Sequence, residues 1–87
     1  MKLYAILDSA KERFSPPFIS DNEATAVRMF RQEISQIPPE IKTDFSLFCV
    51  SPYWNDTLGT LEIPQDYLPV RVAHFTTEDD GKVTLVF

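Results

Sequence analysis

The hydrophobic positions of this chain adopt a helical period only once. Between Asp21 and Ile37, the residues Val27, Phe30, Ile34 and Ile37 fall at i, i+3, i+7 and i+10, one stripe of a 3.6-residue helix. Asp21 or Asn22 supplies the N-cap, and Glu23 puts negative charge at the positive end of the helix dipole. Pro38 and Pro39 stop the helix, because neither donates an amide hydrogen and the residue before a proline avoids the helical region. Arg28, Arg31, Gln32 and Ser35 fall on its other faces.

Elsewhere the period is that of strands and turns. In Met1 to Asp8, Leu3, Ala5 and Leu7 alternate with Tyr4 and Ile6, so both faces are apolar and the strand is expected to be central. A strand that begins at the second residue leaves little room for a disordered arm. Residues 9–17 read as a polar connection carrying Lys11, Arg13 and Phe14 and closed by Pro16 and Pro17. Phe18 to Ser20 form a short strand or extended entry to the helix, with Phe18 or Ile19 placed to staple its first turn. Residues 38–44 read as a loop and Phe45 to Val50 as a core strand. Turn residues gather at Asn55, Asp56 and Gly59, and Thr60 to Ile63 are expected to return as a hairpin against Phe45–Val50. Pro64 ends that strand, and a connection from Gln65 to Pro69 follows. Two β-branched runs around Asp80-Gly81 predict a terminal hairpin with a loop longer than two residues.

The expected fold class is therefore α+β, one domain spanning residues 1–87. It is a small antiparallel sheet with one main helix packed on one face, in the order β-β-α-β-β plus a C-terminal β-hairpin. One helix cannot cover both faces of a sheet, so the other face must stay polar or find a partner. With exposed strand edges and the apolar Phe87, this predicts a homodimer.

Composition narrows the function classes. A hydrophobic fraction of 44% with 13% aromatics supports one core in 87 residues without a metal or disulfide. Cys49 is the single cysteine and forms no internal disulfide. No apolar run approaches the ~20 residues of a membrane span and no signal segment opens the chain, so no membrane contact and a cytoplasmic location are expected. Thirteen acidic against 8 basic residues give a net charge of −5, which argues against indiscriminate coating of nucleic acid. A local basic patch, base stacking or a protein partner remains compatible with it.

Catalytic chemistry finds little support. Cys49 and His74, the only histidine, match no nucleophile signature and read as buried filler and a strand-face residue. With only Gly59 and Gly81 there is no phosphate-cradling glycine loop, and Glu78-Asp79-Asp80 reads as a solvated turn. No enzyme, metal or cofactor is expected. Arg28 and Arg31, three residues apart on the helix, are the best candidates to bridge a phosphate or an acidic partner, and Lys11 and Arg13 extend the cationic set. The plainer account is that these cations are solvated or paired with nearby acids. Tyr53 and Trp54, beside a turn, are candidates for stacking on unpaired bases, against edge-of-core packing or an interface anchor.

Several motifs in order resemble one family. Met1-Lys2-Leu3-Tyr4, Pro17-Phe18-Ile19, Ala26-Val27-Arg28-Met29-Phe30 and Asp44-Phe45-Ser46-Leu47-Phe48, with Asn55-Asp56 in the following turn, look like the small non-structural protein of microviruses. The likeness is to the gokushovirus branch of these circular single-stranded DNA phages, and it fades after Pro69. It implies a protein of the host cytoplasm, absent from the virion, that acts in genome replication by binding single-stranded DNA or the replication complex. In this reading Lys11, Arg13, Arg28 and Arg31 meet phosphate and Tyr53 or Trp54 stacks on bases. The alternative is an acidic dimeric interaction module that engages a host or phage replication factor without DNA contact.

Overall fold

The computed structural model describes residues 1–51, 53–55, 57–62 and 66–87, with the side chains of Tyr53 and Glu62 outside the description. Strand β1 (Lys2–Asp8) is central, as its two apolar faces predict. The short strands β2 (Arg13–Phe14) and β3 (Phe18–Ser20) share one of its edges, while β4 (Phe45–Ser51) takes the other. Beyond β4 lie β7 (Val70–Thr77) and β8 (Val83–Val86), completing a six-stranded sheet in which every pairing is antiparallel. The intervening β5 (Tyr53–Asn55) and β6 (Thr60–Glu62) form a separate two-stranded ribbon.

This overturns the expected small sheet in the order β-β-α-β-β plus hairpin. The chain is mainly antiparallel sheet, and its helical face is not covered by one helix alone. Five strands at a spacing of ~4.8 Å span more than the ~10 Å diameter of a helix. A 3₁₀ segment, Pro39–Asp44, therefore shares the covering and packs against β4, β7 and β8. It occupies residues expected to be a loop, with proline at its start, where a missing amide costs nothing.

Two further expectations change for local reasons. Residues 9–14 are not a plain connection: the Asp8 carboxylate accepts from the amides of Ala10 and Lys11 (3.1 and 3.4 Å), turning the chain so that β2 pairs back on Leu7 and Asp8. Ser15 continues the pairing, its Oγ accepting from the Ile6 amide at 2.9 Å and its own amide donating to Ile6 O at 2.7 Å. The β1 edge is thereby protected. The strand from Thr60 pairs with Tyr53–Asn55 rather than with Phe45–Val50. Asn55 Oδ1 accepts from the amides of Thr57 and Leu58, and Gly59 at φ 66° donates to Asn55 O at 2.8 Å, so the turn closes locally. The expected turn residue Asp56 and strand residue Ile63 lie outside the described residues.

Helix α1 (Glu23–Ile34) starts where its cap predicts, with Asn22 Oδ1 accepting from the Thr25 amide at 2.8 Å. It ends three residues short of Ile37, since Ser35 Oγ donates to Gln32 O at 2.7 Å and the prolines follow. Val27, Phe30 and Ile34 are buried along the predicted stripe, joined by Ala26, and meet Tyr4, Leu47, Cys49 and Ala73 of the sheet. The Phe30 and Phe75 rings sit 5.4 Å apart.

Candidate nucleic-acid interface

Alternation along the strands sorts side chains between two faces. On β1, Tyr4 and Ile6 point to α1, leaving Leu3, Ala5 and Leu7 on the opposite, open face. The cross-strand registers carry this outwards. Phe14 stands opposite Leu7, Ile19 opposite Leu3, Phe48 opposite Ala5, Arg71 opposite Phe48, and His74 between Ser46 and Val86. The register shift between Leu47 and Phe48 sets Arg71, rather than Val72, across from Phe48.

The centre of the open face is aromatic. Phe14 and Phe48 meet edge to face, centroids 5.5 Å apart and planes at 87°. Ala5 between the strands is buried, Phe48 half-buried, and Phe14 and Ile19 are exposed. Beside them lie Arg71, His74 and the hydroxyls of Ser46, Thr76 and Thr84. The six strands of this sheet hold a single acid, Asp8, which pairs with Phe45 on the helix-side face. The carboxylate that reaches its margin is Glu78, which accepts from Thr84 Oγ1 at 2.9 Å in the β7–β8 turn. An apolar, aromatic surface stripped of negative charge suits flat rings with an anionic backbone.

The cations expected to form one patch are divided. Lys11 and Arg13 rim a groove of about 300 Å³ beside the C-terminal half of α1, floored by Ile6, Ile34, Ile37 and Phe45. Arg28 and Arg31 lie on the opposite flank of the helix, in a cleft with Gln32 and Phe87. All four are exposed, and none forms an ion pair among the described residues. Trp54 is half-buried on the ribbon, its amide donating to Met1 O at 3.0 Å, far along β1 from β2. The Tyr53 side chain lies outside the described residues.

Cys49 and His74 stand on opposite faces of the sheet, Cys49 buried in the core and His74 on the open side, so they form no nucleophile–base pair. Behind Cys49, Tyr67 Oη donates to Cys49 O at 3.0 Å, and burial, then the Cys49 contact, pushes its pKa up to about 12. Tyr4 is also shifted upward, first by burial and then by Cys49 and Glu23. These are features of the core rather than of a cleft. No helix among the described residues is long and apolar enough to cross a membrane.

Phe14, Phe48 and Arg71 are the candidate residues of this face that sequence reasoning passed over. Phe48 was legible only as half of a core-strand alternation. Phe14 and Arg71 reach the face through a turn and a bulge, which leave no periodic signal. Among known proteins, a family model described as Phage ORF5 protein matches residues 1–77. No curated protein matches, and no solved structure does. The matched stretch runs from β1 through β7 and contains Phe14, Phe48, Arg71 and His74.

Proposed function

This chain belongs to the Phage ORF5 protein family, and we propose that it is a non-catalytic, non-structural protein that binds single-stranded DNA on its open sheet face during viral genome replication. The microvirus-like motifs of the sequence point to a phage with a circular single-stranded genome, and to action in the host cytoplasm rather than in the virion. The observation that carries the reading is the open face itself. The one acid of the six-stranded sheet, Asp8, stands on the helix side, and the open face centres on two phenylalanine rings. Bases stack on Phe48 and Phe14, each stack worth ~1–3 kcal/mol, while Arg71 meets phosphate across the strand. Arg13 stands opposite Asp8 on the helix side of β2, so Arg13 and Lys11 meet the backbone where it passes round the β2 edge beyond Phe14.

The competing reading, an acidic homodimer that engages a replication protein without DNA, draws on the same surface. Phe14, Ile19 and Val86 are exposed there and offer apolar area to a second copy. Phe14→Asp combined with Arg71→Ala separates the two. Under DNA binding, the double variant loses oligonucleotide affinity while wild-type and variant sediment alike. A wild-type dimer that the variant converts to monomer, with no oligonucleotide bound by either, selects the interaction module.

A further inference from the structure

The helix side of the molecule carries a second cationic feature, remote from the open face. Ala24, Val27, Arg28, Arg31, Gln32 and Phe87 line a cleft of about 400 Å³ between α1 and the end of β8. Its size falls within the ~300–1,000 Å³ of small-molecule sites. Ala24, Val27, Arg28 and Arg31 share one flank of the helix because they recur at i, i+3, i+4 and i+7. Arg28 and Arg31 are exposed, and no carboxylate of the described residues comes within ion-pair distance of either. Residues three apart on a helix place their Cβ atoms ~5–6 Å from each other, so two planar guanidinium forks can close on one phosphate. Gln32 adds an amide donor. Phe87 supplies an aromatic ring on the facing wall, with 77% of the residue exposed.

We propose that this cleft binds a nucleoside 5′-monophosphate group, its phosphate bridged by Arg28 and Arg31 and its base stacked on Phe87. Charge selects the ligand class: two cations with no ion pair among the described residues lie side by side in a chain of net charge −5. The ring opposite them distinguishes a nucleotide from a bare anion. The phosphate could belong to a free nucleotide or to the 5′ end of a strand, and both present the same group. The site is independent of the open sheet face, from which the sheet itself separates it. Phe87 lies outside the stretch matched by the family model, whereas both arginines lie within it.

The test is titration of the ¹⁵N-labelled protein with thymidine 5′-monophosphate, inorganic phosphate and thymidine, followed by amide shifts. Thymidine 5′-monophosphate is expected to shift Arg28, Arg31, Gln32 and Phe87 and to bind more tightly than either fragment. Arg28→Ala should weaken both phosphate ligands by about tenfold or more, as loss of a charge-assisted hydrogen bond requires. Phe87→Ala should weaken the nucleotide several-fold and leave inorganic phosphate unchanged. Lys82→Ala, an exposed position in the β7–β8 turn, should alter neither. A 5′-phosphate that tightens oligonucleotide binding through Arg28 identifies a strand end as the source, and one that adds nothing identifies the free nucleotide. Absence of shifts at these residues up to about 10 mM nucleotide overturns the proposal. So does nucleotide binding that Phe87→Ala leaves intact.

Discussion

Phe48 is where stacking and simple packing can be told apart. The side chain is half-buried, its ring centroid 5.5 Å from that of Phe14 in an edge-to-face contact, and flanked in register by Ala5 and Arg71. Truncating a fully buried phenylalanine costs ~3–5 kcal/mol, so Phe48→Ala should cost about half, ~1.5–2.5 kcal/mol, read from the urea midpoint. Its effect on DNA affinity is a separate quantity. Losing one stacked base costs ~1–3 kcal/mol, or about 5- to 150-fold in Kd by fluorescence anisotropy. Phe48→Leu separates the two contributions, because leucine keeps most of the apolar volume but has no π face. Its stability loss should stay below ~1.5 kcal/mol, while its affinity loss should match that of alanine. A leucine variant that binds like wild type, with alanine weakened only in step with its stability, would refute stacking and leave Phe48 as packing.

Other expectations follow from the core and turns. Phe30 is fully buried at the helix–sheet contact, so Phe30→Ala should cost ~3–5 kcal/mol, a large share of the ~5–15 kcal/mol of a whole domain, visible as a collapse of the urea midpoint. Asn22→Ala removes the cap on the Thr25 amide and should cost ~0.5–2 kcal/mol in the same assay, with Asn22→Ser restoring most of it. Gly81 holds φ 84° in the β7–β8 turn, and although a Cβ there meets no neighbour, Gly81→Ala should cost ~1–2 kcal/mol in backbone strain. Tyr67 should ionise near pH 12, followed by ultraviolet absorbance and assigned with Tyr67→Phe. Its unfolded counterpart releases its proton near pH 10, so the unfolded state holds fewer protons between these values and stability should fall across that window, being fully present below it.

The sequence revealed the parts of the fold that rest on periodicity. The Val27, Phe30 and Ile34 stripe, the Asn22 cap, the two-faced first strand and the terminal hairpin all emerge from spacing and turn chemistry. What stayed hidden depends on hydrogen bonds that spacing does not encode. The Asp8 carboxylate turns the chain into β2, Asn55 closes the ribbon on itself, and a bulge redirects Arg71. The candidate site lies largely in that hidden part. Arg28, Arg31, Lys11 and Arg13 could be named from residue type, but not their division between two flanks of α1. The open face was foreseeable as a surface needing an explanation, since one helix leaves a sheet face uncovered. The strand sequences of the six-stranded sheet already hold only one acid, Asp8, and the register with Phe45 decides that it falls on the helix side.

Binding of a fluorescein-labelled single-stranded oligonucleotide to the unmodified protein, by anisotropy across a salt series with Trp54 emission in parallel, tests the central claim most directly. Binding should weaken with salt. Three phosphate contacts, from Arg71, Arg13 and Lys11, give a log–log slope near −2 at ~0.7 per contact. No binding at low salt, or binding indifferent to salt and to Phe48→Leu, contradicts it.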